Sequence, residues 1–424
     1  MKEQGRKNLQ YRCYPTPHQE KLLARQFEAA RCLYNAALQE RRDCYNTWKF
    51  DNLGFQFSQL ENGVTLIQLD VTKPNAPKPK PINYYTQANQ LKEIRTFDTE
   101  LALLNFSACQ DVLRRLDKAF KAFFERVKRG ETPGYPRFKA RGRYHSLTWP
   151  SYGDGCKLMA SGKLYLQNIG EVRFKQHRNI TGQIKTVTIS KQGPYYYVSF
   201  SAQYEFEIQP HTGPQVGTDV GLEYFASHSD GTQIPNPRYY RKSEKRLGKA
   251  QRKLEKVKHL PKTDPQRRRA AKAVACAHRK SRNQRHDFHH QQSREMAHTY
   301  SLIVVEDLQV QNLTRRAKPV QDAETGAYVR NGASAKSGLA KSILDAGWSS
   351  FIRMLAYKAE EAGSKLIRVN PSQTSQTCPA CGAVKPKELS ARWHHCGCGC
   401  SLPRDVAAAQ VILAVGLHSL GINP

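Results

Sequence analysis

The sequence predicts a multidomain chain, α/β plus β-barrel, and three observations predict it. Apolar and polar residues alternate with period two from about residue 140 to 205. After residue 212, short apolar runs that end in acids alternate with helical stretches. Five cysteines crowd between 378 and 400, just ahead of an apolar helix. At 424 residues the chain is long enough to bury sizeable cores and to hold two or three domains.

The elements follow in order. Residues 9–15 read as a short strand. A helix is expected from about Thr16 to Lys49, with Leu22, Phe27, Ala30, Leu33, Tyr34 and Leu38 near helical spacing. Residues 70–84 hold a proline-rich run that reads as an extended basic connector. A stronger helix covers roughly 98–128, where Leu101, Leu104, Val112, Leu113, Leu116, Phe120, Phe123 and Val127 trace one face. Arg114, Arg115, Lys118, Lys121, Arg126 and Lys128 coat the rest, either as a solvated face or as a face toward phosphates. Ser161-Gly162 then marks a hairpin turn between 157–159 and 163–166. Further strands read as Glu171–Phe174, Gln183–Ser190 and Tyr195–Ala202. Together they make a small β domain, plausibly a barrel, that the first strand joins across a helical insertion at 16–135.

Beyond residue 212, strands fall near 215–219, 223–229, 301–306 and 365–369. Between the second and third, residues 238–285 hold nineteen Lys or Arg against Glu244, Glu255 and Asp264. The segment Pro261–Pro265 breaks this stretch into a hairpin of two helices. So dense a like charge repels itself unless counter-charge arrives, which points to nucleic acid. Residues 314–341 read as a mobile basic loop behind the Glu306 strand, suited to a lid.

Charge narrows the function. Lys and Arg outnumber Asp and Glu by 67 to 36, a net +31. The usual partner of such a field is a polyanion, nucleic acid before an anionic membrane. No apolar run long enough to span a bilayer is visible, and the basic start has no apolar core behind it, which favours the cytoplasm over secretion. Cys13, Cys32, Cys44, Cys109, Cys156 and Cys276 are scattered singly and read as buried small hydrophobes rather than a disulfide framework.

Three acids stand out. Asp219 lies in the apolar run Val216-Gly217-Thr218-Asp219-Val220-Gly221, where an unpaired charge is costly. Glu306 ends Leu302-Ile303-Val304-Val305, with Asp307 beside it; charge alone does not decide between the two. Asp405 opens the helix Val406-Ala407-Ala408-Ala409. Taken singly, these read as a turn cap, a strand end and a helix N-cap. Their order matches a ribonuclease-H-like fold, which delivers acids from a first strand, a later strand and a helix. Phosphodiester hydrolysis by two Mg²⁺ ions needs such carboxylates.

Cys378-x-x-Cys381 is followed after 14 residues by Cys396-Gly397-Cys398-Gly399-Cys400. Two close pairs separated by a loop make a Zn²⁺ ribbon. Cys378, Cys381, Cys396 and Cys398 are the expected ligands, with Cys400 in reserve and His394 and His395 as further candidates. Four protein ligands leave no open position, so the role is structural.

These segments resemble a known family, TnpB, also called OrfB-type. The residues that carry the resemblance are 217–222, Val305-Glu306-Asp307-Leu308, Asp345-Ala346-Gly347-Trp348, 370–382 and Arg404-Asp405-Val406-Ala407-Ala408-Ala409. It is strong over about 212–416 and looser through 14–19 and 134–139. Two positions depart from it: the second cysteine pair is Cys-x-Cys, and Pro403 stands where an Asp often precedes Arg404.

The resemblance implies a RuvC nuclease domain (212–370 and 401–424) with an inserted zinc ribbon (371–400). It implies a β-barrel wedge domain (1–15 and 136–211) carrying a helical recognition domain (16–135). It further implies an insertion-sequence-encoded, RNA-guided DNA endonuclease, similar to the compact ancestors of type V CRISPR effectors. Asp219, Glu306 and Asp405 would be its catalytic acids. Its partners would be a guide RNA from the transposon end and double- and single-stranded DNA, with one chain per RNA and no membrane. The alternatives are an RNA-guided repressor that does not cut, a strand-transferring transposase, or a zinc-ribbon RNA-binding protein without activity.

Overall fold

The computed structural model describes residues 2–51, 54–59, 65–70, 82–388 and 390–422. Two compact units divide the chain, residues 4–205 and, for the most part, 206–424. Most of the proline-rich connector expected over 70–84 lies outside the described residues.

The first unit opens with β1 (Lys2–Tyr14) and α1 (Pro17–Asp51). Next come the hairpin β2 (Gly54–Gln59) and β3 (Thr65–Asp70), then α2 (Tyr84–Phe97), α3 (Thr99–Ala102) and α4 (Phe106–Lys128). The single helix expected over 98–128 is therefore two. Asn105 breaks it, because its side chain accepts from the Ser107 and Ala108 amides and caps α4. The hairpin and α2 were not anticipated; Asn83 and Thr86 start α2 with a reciprocal capping box.

The basic face of α4 is only partly free. Arg115 is spent on Asp111, Ser146 and Thr148, and Arg126 on the Pro133 and Gly134 carbonyls. Arg114 lies over the Tyr84 ring. Lys118 and Lys128 remain exposed.

The strands β4 (Ser146–Trp149), β5 (Cys156–Leu158), β6 (Leu164–Leu166), β7 (Gly170–Phe174), β8 (Gln183–Gln192) and β9 (Tyr195–Glu207) complete the sheet. Its order is β4-β8-β9-β1-β7-β6-β5, with the N-terminal strand in the centre. Gly193, at φ +62°, makes the tight β8–β9 turn. Trp149 on one end strand and Cys156 on the other share one core with Tyr11 and Phe200. The sheet curls round that core into a near-barrel. Of the six scattered cysteines, Cys13, Cys109 and Cys156 are buried as expected, but Cys32 is exposed and Cys44 and Cys276 are half-buried. Those three sit on long helices, whose outer faces meet solvent.

The second unit is α/β. β10 (Gln215–Asp219), β11 (Tyr224–His228) and β12 (Gln233–Pro235) form its first strands. The helices α5 (Tyr239–Lys256) and α6 (Pro265–Thr299) form the basic hairpin, and Asp264 caps α6 ahead of Pro265. Then follow β13 (Leu302–Glu306), α7 (Val310–Leu313), the small pair β14 (Val320–Gln321) and β15 (Tyr328–Val329), α8 (Ala333–Ala346), α9 (Trp348–Ala362) and β16 (Lys365–Val369). The hairpin β17 (Trp393–His395) and β18 (Ser401–Pro403) leads into α10 (Arg404–His418). The loop expected over 314–341 ends early, since Ala333–Lys341 is already helical; alanine and lysine outweigh the single Gly338 there.

The sheet order is β12-β11-β10-β13-β16, with β10, β13 and β16 parallel. β13 is buried along its whole length, as a central parallel strand should be. Ile303 and Val305 pack with Met296, Phe351 and Leu355 on the α6 and α9 side. Leu302 and Val304 pack with Ile412 and Leu417 of α10 on the other. Among the described residues no helix is long and apolar enough to cross a membrane.

Helix α10 lies unusually close to β10. A Cβ on Gly217 would fall on the Ala409 carbonyl oxygen and 2.7 Å from the Leu413 amide nitrogen, so only glycine permits this approach. Gly217→Ala is predicted to destabilise the unit by about 1–3 kcal/mol. Thermal unfolding should register this as a fall in Tm of roughly 2–4 °C per kcal/mol. Gly338→Ala on α8 meets nothing within 4 Å and should not lower Tm. Equal Tm values for the parent and Gly217→Ala would refute the close packing.

Candidate active site and metal centre

Strand periodicity and register bring the three acids to one place. β10 and β13 run parallel with Thr218 opposite Val305, so Asp219 and Glu306 are the next pair in register. Gly217 faces α10, and Asp219, two residues on, shares that face. Glu306 shares a face with Leu302 and Val304, which also pack on α10. Asp405 stands in the first turn of α10, and its Oδ2 lies 3.9 Å from where a Gly221 Cβ would be. It does not cap the helix; Pro403 is the N-cap and offers no side-chain bond. The acids meet at the carboxyl ends of parallel strands, where open α/β sheets bind ligands.

Asp307 is not part of this group. It is exposed and pairs with Arg368 at 3.4 Å, whereas Glu306 is only 8 % exposed. The one-residue step reverses the face, so Glu306 and not Asp307 lies on the side packed by α10.

The cluster is electrostatically unbalanced. Burial, then the negative charges of Glu306 and Asp405, push the Asp219 carboxyl up to about 8. Burial also raises Glu306, opposed by the Thr374 hydrogen bond. Burial raises Asp405, while Arg392 and Arg404 pull it down and Glu223 adds to the rise. Burial disfavours the ionised form of all three, and Glu306 and Asp405 add their charge against Asp219, an imbalance that a hard divalent cation would relieve. The three do not crowd together unaided. Among the described residues only the cysteine clusters gather three candidate ligand atoms within 4.8 Å of one another.

Several contributors escaped the sequence reading. The Thr374 hydroxyl, 3 % exposed, donates to Glu306 Oε1 and so fixes that carboxylate. Arg392 reaches Glu223 at 3.2 Å and also acts on Asp405. Asp345 is buried and accepts from the Tyr240 and Arg241 amides, capping α5 from another helix; its role is structural. Thr374 lies four residues before Cys378, and the only signal for it was that polar turn after a strand.

The cysteines converge as well. Cys378, Cys381, Cys396 and Cys398 have all their sulfurs within 4.8 Å of one another. Cys378–Cys398 is 3.7 Å and Cys381–Cys396 is 3.6 Å. A disulfide would need about 2.05 Å. Tetrahedral zinc with arms of about 2.3 Å puts thiolates about 3.8 Å apart, so the four residues fit that ion. A second set, Cys378, His394 and Cys400, also gathers. His394 is buried with neither ring nitrogen partnered, while His395 Nδ1 lies 3.0 Å from the Ser401 hydroxyl.

Comparison with known proteins places these features. Residues 197–317 match the family model "Probable transposase" and residues 348–412 the "Cas12f1-like, TNB domain". Residues 1–49 match a "Helix-turn-helix domain", although here they form one strand and one long helix. The chain is 33 % identical over 312 residues to "Putative RNA-guided DNA endonuclease InsQ" of Escherichia coli strain K12, covering 72 % of this chain and 73 % of that protein. It is 29 % identical to a "Putative RNA-guided DNA endonuclease" of Streptomyces pristinaespiralis, covering 100 % and 94 %. In fold it is similar to the Cas12f1 chain of a Cas12f1–sgRNA–target DNA complex, with a TM-score of 0.54 at 12 % identity, covering 96 % of this chain and 98 % of that one.

Two predictions follow from the geometry. The Asp219 carboxyl is raised on folding, so its contribution is present at low pH and is lost as pH climbs from its ordinary range through about 8. Without divalent cation, Asp219→Asn should therefore raise Tm at pH 8 by a few degrees and flatten the fall in Tm between pH 5 and 8. A Tm at or below the parent's would contradict the cost of the buried Asp219 charge. For the knuckle, Cys398→Ser should purify with less than half the parent's zinc by elemental analysis, and Cys400→Ser with nearly all of it. The reverse pattern would assign the site to the other cysteine.

Proposed function

The chain belongs to the TnpB-type family of RNA-guided DNA endonucleases encoded by insertion sequences, and on that premise we propose that Asp219, Glu306 and Asp405 form a RuvC-type nuclease centre. Their convergence at the carboxyl ends of β10 and β13 under α10 carries this reading.

The three carboxylates would hold Mg²⁺, most simply two ions, whose charge activates the attacking water and stabilises the departing oxygen of the phosphodiester. The chain's own residues prepare that site. Asp219 must shed its proton, which its neighbours resist, so divalent cation and proton compete there. Thr374 keeps Glu306 in one orientation. Arg392 and Arg404 keep Asp405 from sharing fully in the rise. Gly217 lets α10 come close enough for Asp405 to join the two strand acids.

The remaining parts take supporting roles. Cys378, Cys381, Cys396 and Cys398 would hold a structural Zn²⁺. The near-barrel would serve as the wedge domain and α1–α4 as the recognition domain. The guide RNA would derive from the transposon end. The α5–α6 hairpin, whose segment 238–285 carries nineteen cations against three acids, would contact nucleic-acid backbone. Base pairing between guide and target reads sequence, while the protein holds the paired strands by shape and charge. The presence of all three acids argues against a repressor that does not cut.

The decisive experiment uses the chain purified with its guide RNA, a guide-matched plasmid and Mg²⁺. The parent should linearise the plasmid and Asp219→Ala should not, while both still bind it. The parent should also need less Mg²⁺ at pH 8.5 than at pH 6.5, because the raised carboxyl holds its proton at the lower pH. Equal cutting by parent and Asp219→Ala would remove the assignment.

A further inference from the structure

Within the second unit lies a cavity of about 760 Å³ that the three acids do not line. It is bounded by α5, α6, α8 and the segment 314–317, and its wall is strongly cationic. Arg285, Arg315, Arg316, Lys336 and Lys341 line it, against Asp345 alone among the acids.

That acid is already engaged. Asp345 accepts from the Tyr240 and Arg241 amides and pairs with Arg285 at 3.6 Å. Lys341 is held by Glu244 at 2.6 Å. Arg315, Arg316 and Lys336 differ. All three are exposed, and among the described residues none has an ion pair or a side-chain hydrogen bond. Three cations without a counter-charge lining one cavity favour an anion there. The lining is not charged throughout. It offers the half-buried ring of Tyr240 and the side chain of Leu344, which is 58 % exposed. The N-terminus of α8 also opens here, where its N-cap Gly332 has no side chain to offer.

We propose that this cavity holds a single nucleic-acid strand, with phosphates on Arg315, Arg316 and Lys336 and a base against Tyr240. The inference rests on the nucleic-acid function proposed above and names a site for it apart from the cutting centre. Cations that track a backbone beside an aromatic platform are the general solution for single strands. The volume suits one or two nucleotides, within the range of about 300–1,000 Å³ usual for small-ligand sites. A phosphodiester chain could come from the guide RNA or from displaced DNA, and the chemistry of the wall is shared by both.

The test measures binding of labelled dT and U oligomers to the full chain against salt concentration, by fluorescence anisotropy. Removing three phosphate contacts with Arg315→Ala/Arg316→Ala/Lys336→Ala should lower the salt slope by about 2, at roughly 0.7 per contact on a single strand. Arg315→Lys/Arg316→Lys should keep the parent slope, which a loss of fold would not allow. Tyr240→Leu should weaken binding by about fivefold or more with the slope unchanged, as a stacking loss does. A change with dT alone assigns the site to DNA, and with U alone to RNA; either supports the proposal. An unchanged slope with both oligomers overturns it, as does a lysine variant no better than the alanine variant. Guide-directed plasmid cutting separates the readings. If the parent cuts while the slope stays unchanged, the cavity proposal fails and the nuclease reading stands.

Discussion

The close seat of α10 on β10 is the contact on which the rest of the second unit depends. Gly217 has no side chain, so the Ala409 carbonyl can occupy the space a Cβ would need. The helix then carries Asp405 to the face that already holds Asp219 and Glu306. The same contact adds to the electrostatic difficulty of the site, since burial, Glu306 and then Asp405 together push the Asp219 carboxyl up to about 8. A fold optimised for stability alone would separate these charges. Burying carboxylates near one another in this way costs stability, and such costs concentrate at functional sites.

The cysteine knuckle occupies a telling place in the chain. It begins just after Thr374, which holds Glu306, and ends at Arg404, next to Asp405. Arg404 donates back to the Glu388 and Ala391 carbonyls, and its amide donates to the Arg392 carbonyl. Both chain crossings are thus tied to an acid of the cluster. A metal that rigidifies the knuckle would also limit the freedom of those two carboxylates, without taking part in chemistry.

Much of this was legible from local signals. The strands at 215–219, 301–306 and 365–369, the basic helical hairpin and the three acids all announce themselves through apolar runs, charge and turn residues. What misled the reading was also local. Asn105 interrupts an amphipathic pattern that continues across it, so two helices looked like one. The α4 arginines looked available, but Arg115 is consumed by β4, a strand that begins thirty-one residues later. Glycine and serine dilute the stretch 333–341 and predict loop there, yet it is continuous with the helix that ends at Ala346.

The sequence by itself determined the inventory: which residue types are present, in what order, and which periodicities they follow. That was enough for the α/β and β-barrel character, for the candidate acids and for the cysteine pairs. Only the tertiary structure decided which of these groups face one another. The facing of Glu306 and not Asp307 toward α10, the gathering of Cys398 with the other three thiols, the hold of Thr374 on Glu306 and the cationic cavity all depend on contacts between distant segments. Facing direction on a strand reverses with each residue, and distance in space is set by packing, so neither can be read from spacing along the chain.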